Sequence, residues 1–456
     1  MEPGRGGVHC RRRLVFWPAA FPGRGQPIDS CAVDAPAGRW LPALANRRFR
    51  GLLLVWAGVP ITLVYLWRGV LQPLVFGTYL GDFEESYMGA ARKLALGRDP
   101  YDLCRNQGCL EPTGLQYVTP PPLAWFLQPV VGVDSHTLGI AVILVLNASL
   151  IVFFFFALRA LHVDDWQLGV LLILVALSFE PVTGNINEGQ INLVLLALSG
   201  VWLWSWVADR WWGGAALGFA VALKVIQAPV GLLVLWARRW RMLAAAIVAG
   251  LGLWLVAAPQ YLAEYLFQVL PQVEEGTGLF ENHSPGGTIA RLLAPDTFLG
   301  AQPGSPAAAR VITLVIAIAA VLVTLMVLRS PVTSASGRAL EAAAAVSVGP
   351  MVASYSWGTH LVLLLLPMLV LVAWGVRRRD RTVLGLIFVG WALIGPAHMW
   401  FLSLMVSGFS NLFLLRLMAE FGVIGILAIW IASLLAVGRE RSANRLDAAH
   451  EHGAYE

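Results

Sequence analysis

Charge is scarce in this chain. Of 456 residues only 13% are Asp, Glu, Lys or Arg, and 58% are hydrophobic, with a mean hydropathy of +0.69. Soluble domains carry about 25% charged residues, so an ordinary water-soluble fold is excluded. Also missing is a Gly-rich phosphate loop, which argues against a soluble nucleotide as substrate. Cysteine is limited to four positions. Cys10 and Cys31 lie near the N-terminus, and Cys104 and Cys109 bracket the loop CRNQGC. The last two suit a disulfide on an oxidising side or two free thiols; no neighbouring His completes a metal site. No small-residue cleavage site follows the short apolar patch LVFWPAAF, which is too brief to span a membrane.

What the chain has is long apolar runs, each near the ~20 residues a bilayer-crossing helix needs. They define an all-α polytopic membrane protein. A net charge of +5 does not point to nucleic acid, because the Arg residues sit in short clusters between apolar runs, the mark of cytoplasmic loops. Threading the chain on those clusters gives spans near 52–74, 137–158, 167–183, 190–208, 242–259, 309–328, 339–353, 358–376, 382–402 and 412–437. Both termini then face the cytoplasm of a plasma-membrane protein. Residues 1–50 form a disordered cytoplasmic tail, 51–438 the transmembrane domain, and 439–456 a polar cytoplasmic tail.

One run resists the threading. Arg210 and Arg238-Arg239-Trp240-Arg241 both belong inside, yet a single apolar run, 213–236, separates them. Lys224 lies at its middle and Pro229 soon after, where an unbroken helix would suffer both costs. The expectation is a broken hairpin of two short helices with Lys224 at an outward-facing tip, in place of a straight span with a snorkelling lysine.

The stretch GDFEESYMGAARKLALGRDPYD follows the first span. Tyr87, Ala90, Ala91 and Leu94 recur at helical spacing, so it forms an amphipathic helix on the outer surface, opened by Asp82, Glu84 and Glu85 and ended at Gly97. The proline-led run TPPPLAWFLQPVVGV is expected to rest on the same surface, and 260–308 to be a long outer loop.

A topology drawn from arginines alone collects the other distinctive polar groups on the outer face. They are Asp82, Asn187, Glu188, Gln190, Asn192, Lys224, Glu281, Asn282, His283, Arg291 and His360. Ionisable groups at membrane depth are costly and mark function. A carboxylate among cations suggests a proton acceptor beside an anionic ligand. Bland readings stand beside these: Asp82 as a helix cap, Arg291 on lipid headgroups, His283 as a loop residue, the Asn and Gln side chains bonding bent backbone, and His398 as a satisfied core residue.

The ordered motifs DFEESYMGAARKLALGRDPYD, PPPLAWFLQP, NEGQINLVLLAL, GGAALGFAVALKVIQAPVGLL with RRWR, ENHSPGGTIARLL and SYSWGTHLVLLLLP resemble glycosyltransferase family 87, the polyprenyl-phosphate-mannose-dependent mannosyltransferases of the GT-C superfamily. The resemblance implies a GT-C-like fold of about ten spans plus the broken hairpin and outer amphipathic helix. It implies inverting transfer of a hexose, mannose in most of the family, from a polyprenyl-phosphate donor to a lipid or glycan acceptor. By that resemblance Asp82 is the base and His360 assists it. Lys224, Arg291 and His283 bind the donor phosphate, with no metal and no cofactor. Asn187, Glu188, Gln190, Asn192 and Asn282 contact sugar or acceptor. Two departures stand out: Gly358-Thr359 where the family often has an acidic residue and a first His, and Glu188 in place of a more usual Asn. The alternative is a transporter or flippase of lipid-linked saccharides, which would also need a polar cavity; no internal repeat supports it. Expected partners are the donor, the acceptor and membrane lipids, with no nucleic acid.

Overall fold

A computed structural model describes residues 47–76, 80–109, 116–299, 306–329 and 332–453. Residues 1–46 of the expected tail lie outside the described residues. All regular elements among them are helices. Six helices are long and apolar enough to cross a membrane: 54–76, 135–160, 307–327, 358–378, 381–406 and 412–444. Two bent pairs bring the number to eight. Asn192–Val207, Gly213–Leu223 and Val225–Trp236 are apolar but shorter. The chain is a multi-pass membrane protein.

Burial separates central from peripheral helices. In Gly358–Arg378, 89% of the most apolar stretch is buried within protein, against 17% in Ala307–Val327. The latter exposes Val311, Leu314, Val315, Ile318 and Leu322, a contiguous apolar face that suits lipid and not water. Asn192–Val207 packs beside Ser135–Ala160 and Gly213–Leu223 and carries the buried Trp202 and Trp206. Gly213–Leu223 lies on Trp240–Val256 with backbones in contact. A Cβ at Gly214 would stand 1.9 Å from the Met242 carbonyl oxygen, and one at Gly218 2.1 Å from that of Ala246. Small residues four apart permit this approach, the usual route to helix association where water supplies no drive.

Three breaks shape the interior. At Lys224 the helix Gly213–Leu223 stops, the backbone extends (φ −158°, ψ 120°), and a turn at Val225–Gln227 leads into Ala228–Trp236. Pro229 sits in the first turn of that helix, where its missing N–H costs nothing. The interruption falls where the lysine and proline predict it. The second break interrupts the expected span 167–183: the helix Trp166–Leu177 ends and Glu180–Glu188 continues at 54° to it. The third corrects the expected long loop at 260–308. Trp240–Val256 turns by 100° into a helical run, Pro259–Glu274, and Pro285–Leu293 is a further helix capped by the Ser284 hydroxyl. At the other end, the expected polar tail continues the last helix, Phe421–Gly453.

Candidate active site

The stretch after the first span is helical, as its periodicity predicts, and buries Tyr87, Ala90, Ala91 and Leu94. Its opening, Asp82–Tyr87, is wound as a π-helix before Met88–Ala95 continues as α. Such wide turns gather at functional sites because they re-aim side chains. Asp82 caps nothing; the N-terminal residue is Gly81 and no side-chain cap bond forms. The Asp82 carboxylate instead meets Gln190, whose Nε2 donates to Oδ2.

Gln190 reaches Asp82 through its neighbour. Gly189 ends Glu180–Glu188 in the left-handed region (φ 69°), where glycine alone is free of strain. A Cβ on it would lie 2.5 Å from the Phe83 Cβ. The turn thus presses directly on the residue after Asp82, and only a glycine permits it.

The bonds extend from there. The Gln190 Oε1 accepts from the Tyr87 hydroxyl at 2.6 Å and from the Lys224 ammonium at 3.1 Å. Lys224, almost fully buried at the helix break, gives a second bond to Asn192 Oδ1 at 3.1 Å. The Thr359 carbonyl accepts from Asn185 at 2.7 Å and Asn192 at 3.3 Å, which fixes the backbone just before His360. The His360 ring is buried, stands 5.5 Å from the Tyr355 ring, and leaves Nδ1 without a protein partner.

These groups border a cavity of about 400 Å³. Its walls include Asp82, Glu188, Gln190, Lys224, Glu281, His283 and His360 from the sequence-derived set, together with Glu180. A second cavity of about 210 Å³ adjoins it at Thr119, Lys224, Tyr355 and His360, and its remaining wall is largely apolar, with Val225, Ile226, Pro229, Leu270, Val273 and Val352. Lys224 and His360 stand where a chamber lined by polar groups meets a largely apolar one.

Electrostatics in the first cavity are dominated by carboxylates. Enclosure by protein, and then the nearby Asp82, push the Glu281 carboxyl above the usual range. Burial, with His398 and Arg291 close by, holds His283 well below an ordinary imidazole. His283 is therefore neutral near pH 7 and offers a hydrogen bond, not a charge. The Tyr87 phenol is raised by burial and by Asp82, so it stays a donor.

Four residues of the sequence-derived set stand outside the cavity lining: Asn187, Asn192, Asn282 and Arg291. Asn192 acts from behind, through Lys224. Asn282 is fully buried with both ends of its amide engaged, accepting from the Ser284 and Ser356 N–H groups and donating to the Thr277 and Ser354 carbonyls. Arg291 holds Glu420 bidentately at 2.8 and 3.0 Å and donates to the Leu279 and Asn282 carbonyls. These two residues clamp the loop that presents Glu281 and His283.

Other lining groups escaped the sequence reading. His398 is buried, as expected of a core residue, but it is not satisfied: its Nδ1 has no protein partner, its ring lies 4.6 Å edge-on from His283, and it borders the cavity. Glu180, Tyr355 and Trp357 join the wall as well. Tyr355 and Trp357 are within the quoted motif SYSWGTH, so proximity to His360 could have signalled them. Glu180 and His398 carried no local signal. Cys104 and Cys109 are joined, with Cα atoms 4.3 Å apart, and Cys109 borders the cavity.

The sequence profile of glycosyltransferase family 87 matches residues 117–354. A polyprenol-phosphate-mannose-dependent alpha-(1-2)-phosphatidylinositol pentamannoside mannosyltransferase of Mycolicibacterium smegmatis is 33% identical over 128 residues, 26% of this chain and 30% of that protein. An alpha-(1->3)-arabinofuranosyltransferase of Mycobacterium tuberculosis is 36% identical over 93 residues, 19% of this chain and 21% of that protein. The similar stretch thus spans less than a third of either curated relative. The chain belongs to glycosyltransferase family 87.

Proposed function

We propose, with that family as the premise, that the protein moves a hexose, mannose, from a polyprenyl-phosphate donor to a hydroxyl of a lipid or glycan acceptor. The observation that carries the reading is the hydrogen-bonded line Asp82–Gln190–Lys224 along the cavity wall. It puts a proton acceptor and a cation at one chamber, as glycosyl transfer from a phosphate requires.

The acceptor oxygen attacks the anomeric carbon from the face opposite the phosphate, and its proton passes to Asp82. The bond from carbon to phosphate oxygen breaks with its electron pair on the phosphate, so the anomeric configuration inverts. Two donor positions of the Lys224 ammonium are spent on amide oxygens. The third remains for the phosphate, whose developing charge it stabilises. His360, whose residue borders both cavities, is the second phosphate contact. The apolar chamber beyond Lys224 suits the first isoprene units of the lipid. Glu188 and Glu281 accept from sugar or acceptor hydroxyls, and His283 hydrogen-bonds as a neutral ring. Asn282, Arg291 and Asn192 act indirectly, by holding the groups that do touch substrate. Asn187 is assigned to the sugar-side wall only through its neighbour Glu188.

The family match begins after Asp82 and ends before His360, so those two roles rest on geometry. The extracytoplasmic side is supported by the Arg clusters, which gather at the helix ends away from this cavity. Mannose follows the name of the first relative, and the second relative makes arabinofuranose the competing sugar.

The test is transfer by purified protein from radiolabelled polyprenyl-phosphate-mannose, and in parallel polyprenyl-phosphate-arabinofuranose, to octyl mannoside and to membrane lipid extract. Wild type and Asp82→Asn are compared after their thermal stabilities are matched. Transfer from the mannose donor that disappears in Asp82→Asn is the expected result. Equal transfer by both proteins would remove Asp82 as base, and transfer from the arabinose donor alone would replace the sugar.

A further inference from the structure

Gln190 is the side chain that touches both the base and the cation, and its orientation is not open. The Lys224 ammonium can only donate, so the amide atom 3.1 Å from it is the oxygen. The Tyr87 hydroxyl bonds that same oxygen. The NH2 group is thereby turned onto Asp82 Oδ2. A flipped amide would set donor against donor at Lys224 and acceptor against acceptor at Asp82. Gln190 is itself buried and backed by the left-handed turn at Gly189, so it has no freedom to drift.

The groups facing Asp82 are Tyr87 on its own helix, Glu188 on Glu180–Glu188, Lys224 at the break, Glu281 on the clamped loop and Tyr355 before His360. The two carboxylates repel it and give it no hydrogen bond. The Gln190 N–H engages Oδ2, so Oδ1 is the oxygen not taken by that bond.

We infer that Gln190 is the positioning residue of the transfer: one carboxamide aims the Asp82 base with its N–H and anchors the Lys224 phosphate contact with its oxygen. The inference rests on the reading of Asp82 as base and Lys224 as phosphate ligand. An in-line displacement needs the base and the leaving group on opposite faces of one carbon. A rigid amide between their two partners sets that separation. Lys224 and Asp82 are then not independent contributors but two ends of one strut.

The test is the pH dependence of kcat and donor KM, with polyprenyl-phosphate-mannose and octyl mannoside as probes, for wild type, Asp82→Asn, Gln190→Asn and Gln190→Glu. Gln190→Asn withdraws the amide by one methylene. It lowers kcat about a hundredfold while donor KM moves far less, the pattern of a lost transition-state contact. Gln190→Glu keeps size but sets two carboxylates against each other, which then share a proton. The acidic limb of its kcat profile moves upward by about one unit or more, with rate returning as pH rises. A purely structural role would lower stability and rate at every pH and leave the limb in place; that outcome overturns the inference. If Glu at 190 prevents folding, Tyr87→Phe removes one of the two donors that orient the amide. It must then lower kcat severalfold with donor KM held, and an unchanged kcat overturns the inference equally. Should Asp82→Asn match wild type, the underlying base assignment fails and takes this inference with it. An inactive Asp82→Asn beside an unmoved Gln190→Glu limb sinks the Gln190 role alone.

Discussion

Replacing Arg291 with methionine separates two roles that the sequence leaves open: phosphate ligand or loop clamp. The guanidinium is buried, pairs with Glu420 through two bonds, and holds two backbone carbonyls, those of Leu279 and Asn282. Removing it strands the Glu420 carboxylate, whose side chain is 22% exposed. Breaking a buried pair from one side costs about 3–5 kcal/mol, and the partial exposure of Glu420 favours the lower figure, about 3. At roughly 2 °C per kcal/mol for a large cooperative unit, melting falls by about 6 °C. Arg291→Met with Glu420→Leu removes both charges together and recovers the part of that loss due to the unpaired charge, while the Asn282 carbonyl still lacks its Arg291 donor. The assay is thermal unfolding in detergent for the two single variants and the double, with donor KM at a temperature where all are folded. Clamp chemistry predicts an unchanged donor KM in the double variant. A donor KM raised about tenfold with melting unaltered would refute the reasoning and return Arg291 to the phosphate.

Two further predictions follow from the same wall. Gly189→Ala costs at least about 1 kcal/mol for the left-handed backbone, before any clash with Phe83 is counted. Transfer falls with it, because the displaced residue adjoins Asp82; thermal melts and rates on one preparation check both. Glu281 gives a pH effect of definite sign. Its folded carboxyl titrates above the ordinary range, so wild-type stability is full below the unfolded value and declines as pH climbs through the raised folded one. Glu281→Gln lacks that decline, and its melting temperature rises relative to wild type across this window. A difference that stays flat or shrinks with pH contradicts the assignment.

Much of the scaffold is written in local pattern. Apolar runs, the three- and four-residue spacing of Tyr87, Ala90, Ala91 and Leu94, and the lysine and proline inside one apolar run each rest on neighbours in sequence. The amphipathic helix and the break at Lys224 are where that pattern predicts, while of ten expected spans the described residues give six to eight long and apolar enough to cross a membrane. The candidate cavity was legible to the extent that its residues are unusual for their surroundings: a lysine amid aliphatics, an Asp after a span, a polar pair beside a glycine. What escaped was anything decided by a distant partner. Arg291 reads as a free cation until Glu420, 129 residues away, comes to meet it. Asn282 reads as a sugar ligand until the backbone at Ser354 and Ser356 saturates it. His398 reads as core because nothing in its own helix announces His283 across the cavity. The π-turn at Asp82 and the bend after Leu177 are small changes of winding that apolar periodicity does not resolve.

The contact between Gly213–Leu223 and Trp240–Val256 bears on how the chain is made. The helices on either side of Lys224 have 11 and 9 residues before and after the turn, far short of the ~20 that partition into a bilayer unaided. Their unpaired backbone ends and the buried ammonium are tolerable only inside protein. Of the helices that cover them, Asn192–Val207 comes earlier in the chain and Trp240–Val256 comes later. A chain released only as far as Trp236 therefore lacks the helix that meets Gly213–Leu223 backbone to backbone. The expected outcome is that a nascent chain cut short between Trp236 and Trp240 keeps a cysteine placed at position 224 open to aqueous thiol reagents, and that extension past Val256 protects it.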